Sequence, residues 1–131
     1  MSIIIDNTPY LEILIENPFL RKKYPENGYV LATIDTGYKG FLLIPRDIYN
    51  ELDFNILEGL ERTLILPDKR AVESIGVYGK VLVPSLKISL EGFIESISGI
   101  DEVVVGSDLL RNFMISLDFC TGTIDLKECR K

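Results

Sequence analysis

The hydrophobic residues of this chain recur at every second position instead of at the 3.6-residue spacing of a helix, which restricts the chain to a fold built from strands. Leu11, Ile13 and Ile15 alternate with a face that carries two glutamates, as in a half-buried strand, and Asn17-Pro18 ends the run. Comparable short runs follow, separated by turn-forming residues. Further strands are predicted over residues 29–34, 41–44, 61–66, 71–78, 80–88, 93–97, 102–105, 114–119 and 123–126, with loops or turns at 21–28, 67–70, 91–92 and 121–122.

Helical signals are few and short. Pro45 suits the first turn of a helix, and residues 108–113 are predicted to form one or two helical turns that Ser107 or Asp108 can cap. Many short strands with one or two short helices predict a mainly β fold. We expect a small closed, mainly antiparallel β-barrel.

The length and charge of the chain limit its organisation and its partners. Its 131 residues predict one domain spanning residues 1–131. A net charge of -6 argues against nucleic acid and against an anionic membrane surface as partners. The first residues lack the basic and apolar regions of a secretory signal, and no later segment is apolar enough to span a bilayer. A cytoplasmic location is therefore expected.

The two cysteines, Cys120 and Cys129, have neither the number nor the spacing of a disulfide framework or a metal cluster. They flank a predicted hairpin turn and are predicted to be free thiols. A bridge across the hairpin is the alternative.

The chain contains no histidine, which excludes a Ser-His-Asp triad, a Cys-His pair, a histidine zinc site and imidazole acid–base chemistry. Carboxylates remain, and they catalyse hydrolysis when two of them share a proton. No glycine-rich nucleotide motif is present. The acidic residues within 91–102 lack calcium-loop spacing and are predicted to lie on a solvated strand face. Neither a metal nor a cofactor is expected.

Two segments carry the strongest functional signals. Residues 31–37 read Leu-Ala-Thr-Ile-Asp-Thr-Gly, an apolar strand that delivers the carboxylate of Asp35 where the chain turns. An aspartate that only accepts backbone amides in a turn is the simpler interpretation. Residues 103–110 read Val-Val-Val-Gly-Ser-Asp-Leu-Leu, which could be no more than a turn from a strand into a helix.

Together, the two segments resemble the half-site of the retropepsin-like aspartic proteases: two hydrophobic residues and Asp-Thr-Gly, then two hydrophobic residues and Gly-x-Asp/Asn-Leu-Leu. Gly40 and Leu43-Ile44-Pro45 also fit the pattern of bacterial, archaeal and other cellular relatives, and Leu117-Asp118-Phe119 resembles the closing strand. The resemblance covers most of the chain. It departs from retroviral members at Lys39 and Ser107, where those carry an ion-paired Asp and Arg.

A single Asp-Thr-Gly has a physical consequence, because one chain supplies one of the two carboxyls that the chemistry needs. The active unit is therefore expected to be a dimer. The resemblance implies a symmetric homodimer in which Asp35 of each chain meets its mate, Thr36 steadies the pair by hydrogen bonds across the axis, and Gly37 lets a substrate backbone approach. It also assigns Gly106 to the turn of the second motif.

The resemblance further implies an aspartic endopeptidase that binds a peptide or unfolded protein in extended form. The predicted hairpin from about residue 64 to residue 72 would cover the substrate as a flap, although its tip lacks the glycines of retroviral flaps. Tyr38, Asp68, Lys69 and Arg70 are the candidate substrate-binding residues. Two alternatives remain: a catalytically inactive dimeric peptide-binding or scaffolding module of the same fold, and an unrelated small β-barrel.

Overall fold

A computed structural model describes residues 2–129 of the chain. These residues form eleven strands and two short α-helices, with 3₁₀ turns at Phe54–Ile56 and Pro84–Leu86. The strands are β1 (Ile3–Ile5), β2 (Thr8–Asn17), β3 (Lys22–Tyr24), β4 (Val30–Ile34), β5 (Leu42–Pro45), β6 (Leu60–Ile65), β7 (Ala71–Val83), β8 (Ile88–Ile97), β9 (Val104–Val105), β10 (Phe113–Asp118) and β11 (Thr123–Glu128). The helices are α1 (Arg46–Glu51) and α2 (Ser107–Leu110). The predicted mainly β fold class is confirmed.

Six strands close into a ring, because β2 pairs with β4 through one part of its length and with β7 through another. The order around the ring is β2-β4-β9-β5-β8-β7. Most pairings are antiparallel, but β4 pairs with β9 and β5 with β8 in parallel. Strands β1, β11 and β10 extend the sheet from β2, and β6 extends it from β7.

The core lies inside this ring and follows the alternation seen in the sequence. Leu11, Ile13 and Ile15 are fully buried on β2, as their spacing predicts. Tyr49 of α1 and Phe54 pack against each other beneath the sheet, with ring centroids 5.5 Å apart. Each fully buried apolar side chain, such as Leu11 or Phe54, stabilises the fold by about 1.5 to 3 kcal/mol.

The region from residue 71 to residue 97 differs from the prediction. It forms the single long strand β7, a 3₁₀ turn at Pro84–Leu86 and then β8, in place of strands divided around Glu91-Gly92. Gly92 lies opposite Gly79 within the β7–β8 pairing. A Cβ on Gly92 would overlap the Phe41 ring, and one on Gly79 would lie 2.7 Å from Cδ1 of Ile94. These glycines therefore serve close packing within the sheet, not a turn.

Smaller differences concern a loop and the two helix starts. The predicted loop 21–28 contains β3. Pro45 ends β5 and precedes α1 instead of lying in its first turn. Gly106 is the residue before α2, and neither Ser107 nor Asp108 provides the predicted side-chain cap.

Two further observations concern the cysteines and membrane spans. Cys120 and Cys129 are both free, and they lie at opposite ends of the β10–β11 hairpin, since Cys120 is in its turn and the Cys129 amide bonds Asn112. A bridge within the hairpin is therefore excluded. Over residues 2–129, no helix has the length and apolarity needed to cross a membrane.

Candidate active site

The two sequence motifs meet where the parallel strands β4 and β9 end. The Thr33 amide donates to the Val103 carbonyl at 2.8 Å, and the Asp35 amide donates to the Val105 carbonyl at 3.0 Å. The chain then turns, and the Tyr38 amide returns to the Asp35 carbonyl at 3.2 Å. The second motif therefore fixes the backbone position from which the Asp35 side chain extends.

The carboxylate of Asp35 lies at the surface of the single chain, and Thr36 and Gly37 beside it are exposed as well. Its Oδ1 accepts the Gly37 amide at 2.9 Å, which orients the side chain over the turn. A Cβ on Gly37 would lie 3.2 Å from the same oxygen, so a larger residue there would crowd the carboxylate. We call residues 35–37 the Asp35 turn.

Gly106 holds the residues that follow the Asp35 turn. Its amide donates to the Phe41 carbonyl at 3.2 Å, and the next two amides donate to the carbonyls of Tyr38 and Gly40 at 2.8 and 3.1 Å. A Cβ on Gly106 would overlap the Gly40 carbonyl oxygen. Main-chain hydrogen bonds at a glycine thus join the two motifs.

Tyr38 lies directly after the Asp35 turn, and its side chain points away from solvent. A Cβ on Gly40 would overlap its phenol group, so the ring lies across Gly40. Its hydroxyl donates a hydrogen bond to the carboxylate of Glu95. Burial is the main cause that raises the pKa of Tyr38, followed by this hydrogen bond and the charge of Glu95, while the charge of Arg62 acts in the opposite direction. The phenol therefore stays a donor at neutral pH.

Glu95 is a site residue that the sequence pattern did not reveal. The prediction of a solvated acidic face for residues 91–102 is wrong at this position, because Glu95 is 0% exposed. Besides Tyr38, its carboxylate accepts the Ser74 hydroxyl at 2.7 Å and pairs with Arg62 Nε at 2.9 Å. The signal that could have identified it is a glutamate inside the short, mostly apolar run of residues 93–97, which the sequence predicts to be a strand.

Strands β6 and β7 form a hairpin whose tip is residues 66–70, inside the predicted flap. The Leu66 amide donates to the Arg70 carbonyl at 2.9 Å and closes the tip. Asp68 accepts the Arg70 amide at 3.1 Å and Arg70 Nε at 2.6 Å. Those hydrogen bonds lower the pKa of Asp68. Lys69 has a left-handed backbone, with φ of 68°.

The hairpin packs down onto a small apolar cluster that is separate from the core of the ring. Its buried members are Leu43, Ile97 and Val104. Partly buried side chains pack against them from the hairpin (Leu64, Leu66 and Val72), from beside the Asp35 turn (Tyr38) and from the segment between β8 and β9 (Ile100). Among the predicted site residues, Tyr38 is thus in the same apolar cluster as side chains of the hairpin. Arg70 instead pairs within the tip.

Candidate metal ligands do not assemble in the described part of the chain. Between residues 2 and 129, no three cysteine or carboxylate side chains are grouped so that they could hold a metal ion.

Sequence comparison relates the chain to a protein of the archaeon Archaeoglobus fulgidus. The two are 42% identical over 125 residues, which cover 95% of this chain and 98% of the relative, an uncharacterized protein. The chain therefore belongs to one family with it. No model of a known protein family matches the chain.

Two solved structures resemble the fold over most of its length. One is a retropepsin-like aspartic protease from Rickettsia conorii, with a TM-score of 0.61, 14% identity, and coverage of 90% of this chain and 92% of that one. The other is the retroviral protease-like domain of Ddi1 from Leishmania major, with a TM-score of 0.53, 11% identity, and coverage of 89% and 86%. At these identities the likeness establishes a shared fold.

Proposed function

We propose that this chain, which has the fold of the retropepsin-like aspartic proteases, is an aspartic endopeptidase that acts as a homodimer. The observation that carries the proposal is the Asp35 turn. Asp35 is exposed at the end of a strand, its carboxylate is oriented by the Gly37 amide, and its backbone is fixed by Val105. A carboxylate held in this way and open to solvent suits a catalytic group that is completed by a second chain.

The dimer supplies the second carboxyl. Two Asp35 side chains about 3 Å apart across a two-fold axis cannot both ionise easily, so they share one proton. The ionised carboxylate takes a proton from a water molecule whose oxygen attacks the peptide carbonyl carbon, while the protonated partner gives its proton to the carbonyl oxygen. The C–N bond of this tetrahedral intermediate then breaks, the leaving nitrogen takes a proton from one carboxyl, and the other carboxylate takes back the proton of the hydroxyl group as the carbonyl re-forms. Thr36 steadies the pair across the axis, and the absence of a side chain at Gly37 leaves room for the substrate backbone.

The substrate is a peptide or an unfolded protein in extended form. It would lie beside Tyr38 and under the β6–β7 hairpin, where its backbone can pair with the residues after Gly37. The apolar cluster beneath the hairpin favours apolar side chains in the substrate. The free thiols of Cys120 and Cys129 suit a reducing compartment such as the cytoplasm.

The experiment that tests the proposal incubates the purified protein with an unfolded polypeptide from pH 3 to pH 7, with and without a statine inhibitor. We expect cleavage that statine blocks and that falls on the alkaline side, because the Asp35 pair loses its shared proton there. The Asp35→Asn variant should fold and dimerise normally but cleave nothing. Wild-type cleavage by that variant, or a flat pH profile, would disprove the shared-proton mechanism.

A second candidate is a dimeric peptide-binding or scaffolding module. The hydrogen bond from the Gly37 amide to Asp35 Oδ1 favours it, because an aspartate that serves the turn alone makes the same contact. The wild-type module and its Asp35→Asn variant would bind the unfolded polypeptide equally well, and neither would cleave it. Fluorescence anisotropy on a labelled polypeptide, measured beside the cleavage assay, separates the two functions.

A further inference from the structure

A buried carboxylate outside the Asp35 turn connects three separate parts of the fold. Glu95 lies on β8 and is 0% exposed. It receives hydrogen bonds from Tyr38 after the Asp35 turn and from Ser74 on β7, and it forms an ion pair with Arg62 on β6. Burying a carboxylate is costly unless it is hydrogen-bonded and paired, and two hydroxyl donors and one cation from three segments meet that requirement. Removing one of these three groups leaves part of the buried carboxylate unpaired, and therefore disturbs its contacts with the other two.

The base of the hairpin is tied to β8 by this cluster. Arg62 and Ser74 lie opposite each other in the β6–β7 register, and the Ser74 hydroxyl lies 3.3 Å from the Arg62 carbonyl oxygen as well as bonding Glu95. The Arg62 guanidinium also lies 5.8 Å from the centre of the Phe93 ring, on the same strand as Glu95. Both strands of the hairpin thus contact the same residue of β8, Glu95.

The same carboxylate fixes the residue that follows the Asp35 turn. The Tyr38 ring lies between Gly40 and Gly106, where a Cβ on either glycine would overlap it or crowd it closely. With its hydroxyl held by Glu95, Tyr38 has both ends of its side chain fixed, and its amide donates to the Asp35 carbonyl. A shift of the hairpin base is therefore transmitted to the Asp35 turn through one side chain.

We propose that Glu95 is a positioning residue that couples the β6–β7 hairpin to the Asp35 turn. The hairpin and the Asp35 carboxylate would then reach together the positions that hydrolysis requires. The coupling is a property of the fold. Its consequence for hydrolysis rests on the proposed function.

Hydrogen exchange tests the coupling without any activity. Arg62→Met and Ser74→Ala alter the hairpin alone, and we expect each to speed exchange of the Tyr38 and Ser107 amides at least fivefold. Tyr38→Phe should in turn speed exchange of amides at the hairpin base. The matched control is Glu73→Gln, which removes the charge from the exposed carboxylate that accepts the Thr63 hydroxyl one position along the same hairpin and should leave those amides unchanged. Unchanged exchange beside the Asp35 turn in both hairpin variants would overturn the coupling.

Absorbance titration provides a signature of the Tyr38–Glu95 contact itself. In the wild type, Tyr38 and Tyr49 should both ionise above the ordinary tyrosine range, and Arg62→Met should raise the pKa of Tyr38 further because it removes a cation near that phenol. Tyr38→Phe should delete one of these two high-pH transitions, and the control Tyr49→Phe should delete the other. Survival of both transitions in the Tyr38→Phe variant would overturn the contact.

Steady-state kinetics test the effect on hydrolysis. In folded protein, Tyr38→Phe and Arg62→Met should each lower kcat at least tenfold with KM changed less than threefold, because substrate contacts remain while the Asp35 pair is misplaced. Glu73→Gln should keep wild-type kinetics. Unchanged kcat in both test variants would overturn the positioning role. If the variants show the expected changes in hydrogen exchange but the wild-type protein cleaves nothing, the proposed function is overturned and the coupling stands.

Discussion

Gly106 is the residue whose replacement the site tolerates least. A Cβ there would overlap the Gly40 carbonyl oxygen, a backbone atom that cannot rotate away. We expect Gly106→Ala to lower the free energy of unfolding by about 3 kcal/mol, as overpacking does. Gly99→Ala is the matched control: its φ is +87° and nothing lies within 4 Å of its Cβ position, so it should cost only about 1 kcal/mol. Urea denaturation of both variants measures this, and equal losses would contradict the packing argument.

Tyr38 makes stability depend on pH in the alkaline range. Its pKa is raised in the folded protein, so above about pH 10 the unfolded chain loses the phenol proton first and the free energy of unfolding falls. Burial raises the pKa of Tyr49 as well, which adds to the same slope. Urea denaturation from pH 8 to pH 11 should therefore show a loss that Tyr38→Phe reduces in part. A slope in that variant equal to the wild-type slope would disprove the contribution of Tyr38.

The sequence was informative about residues in short motifs and uninformative about residues that meet across the fold. Asp35 and Gly106 could be predicted as site residues because each lies in a motif of neighbouring residues. Glu95 could not, since its partners Tyr38 and Ser74 are 57 and 21 positions away. A glutamate among other acidic residues looks solvated until the chain is folded.

Among the strands, the alternation of hydrophobic and polar residues predicted those with one buried face. It failed where a glycine could indicate either a turn or close packing within the sheet. Strand β2 was predicted well because half-buried and buried positions alternate from Tyr10 to Asn17. The β7–β8 hairpin was misjudged because Gly92 pairs with Gly79 in mid-sheet, where ring packing demands a missing side chain. Glycine in a sequence marks either a turn or a close approach, and only the neighbour across the sheet decides between them.

In the proposed function, the hairpin tip would bring Lys69 and Arg70 close to the substrate. Both residues are basic, but Arg70 is paired with Asp68 within the tip. If the tip selects acidic residues in a substrate, Lys69→Ala should reduce the preference for Glu over Lys near the scissile bond more than Arg70→Ala does. Cleavage rates of two matched peptides measure the ratio, with the Lys69→Ala/Arg70→Ala double variant as the limiting case. Equal ratios in the double variant and the wild type would mean that these charges are merely solvated.

For the molecule as a whole, the proposed two-chain mechanism would make activity depend on assembly, because each chain supplies one Asp35. Specific activity should rise with protein concentration through the range in which the dimer dissociates. Sedimentation measured beside the assay checks this. A monomer that still cleaves peptide at its working concentration would end the two-chain mechanism.

Thr36 provides a variant that affects the dimer more than the chain. If its hydroxyl forms buried hydrogen bonds across the axis, Thr36→Ala should weaken the dimer by about 1 to 2 kcal/mol, roughly a tenfold rise in the dissociation constant. Stability of the isolated chain should change little, because Thr36 is exposed there. Sedimentation equilibrium of both proteins measures the shift, and an unchanged dissociation constant would remove Thr36 from the interface.

The parallel pairing of β4 with β9 also dictates when the site can appear during folding. Asp35 is translated long before Val105, yet its amide has no strand partner until Val105 arrives to accept it. Closing so long a loop is slow in comparison with forming local hairpins such as β6–β7. A nascent chain would therefore display its hairpin early and its Asp35 turn late. The carboxylate of the proposed active site would thus take its position only after the chain has left the ribosome as far as Val105.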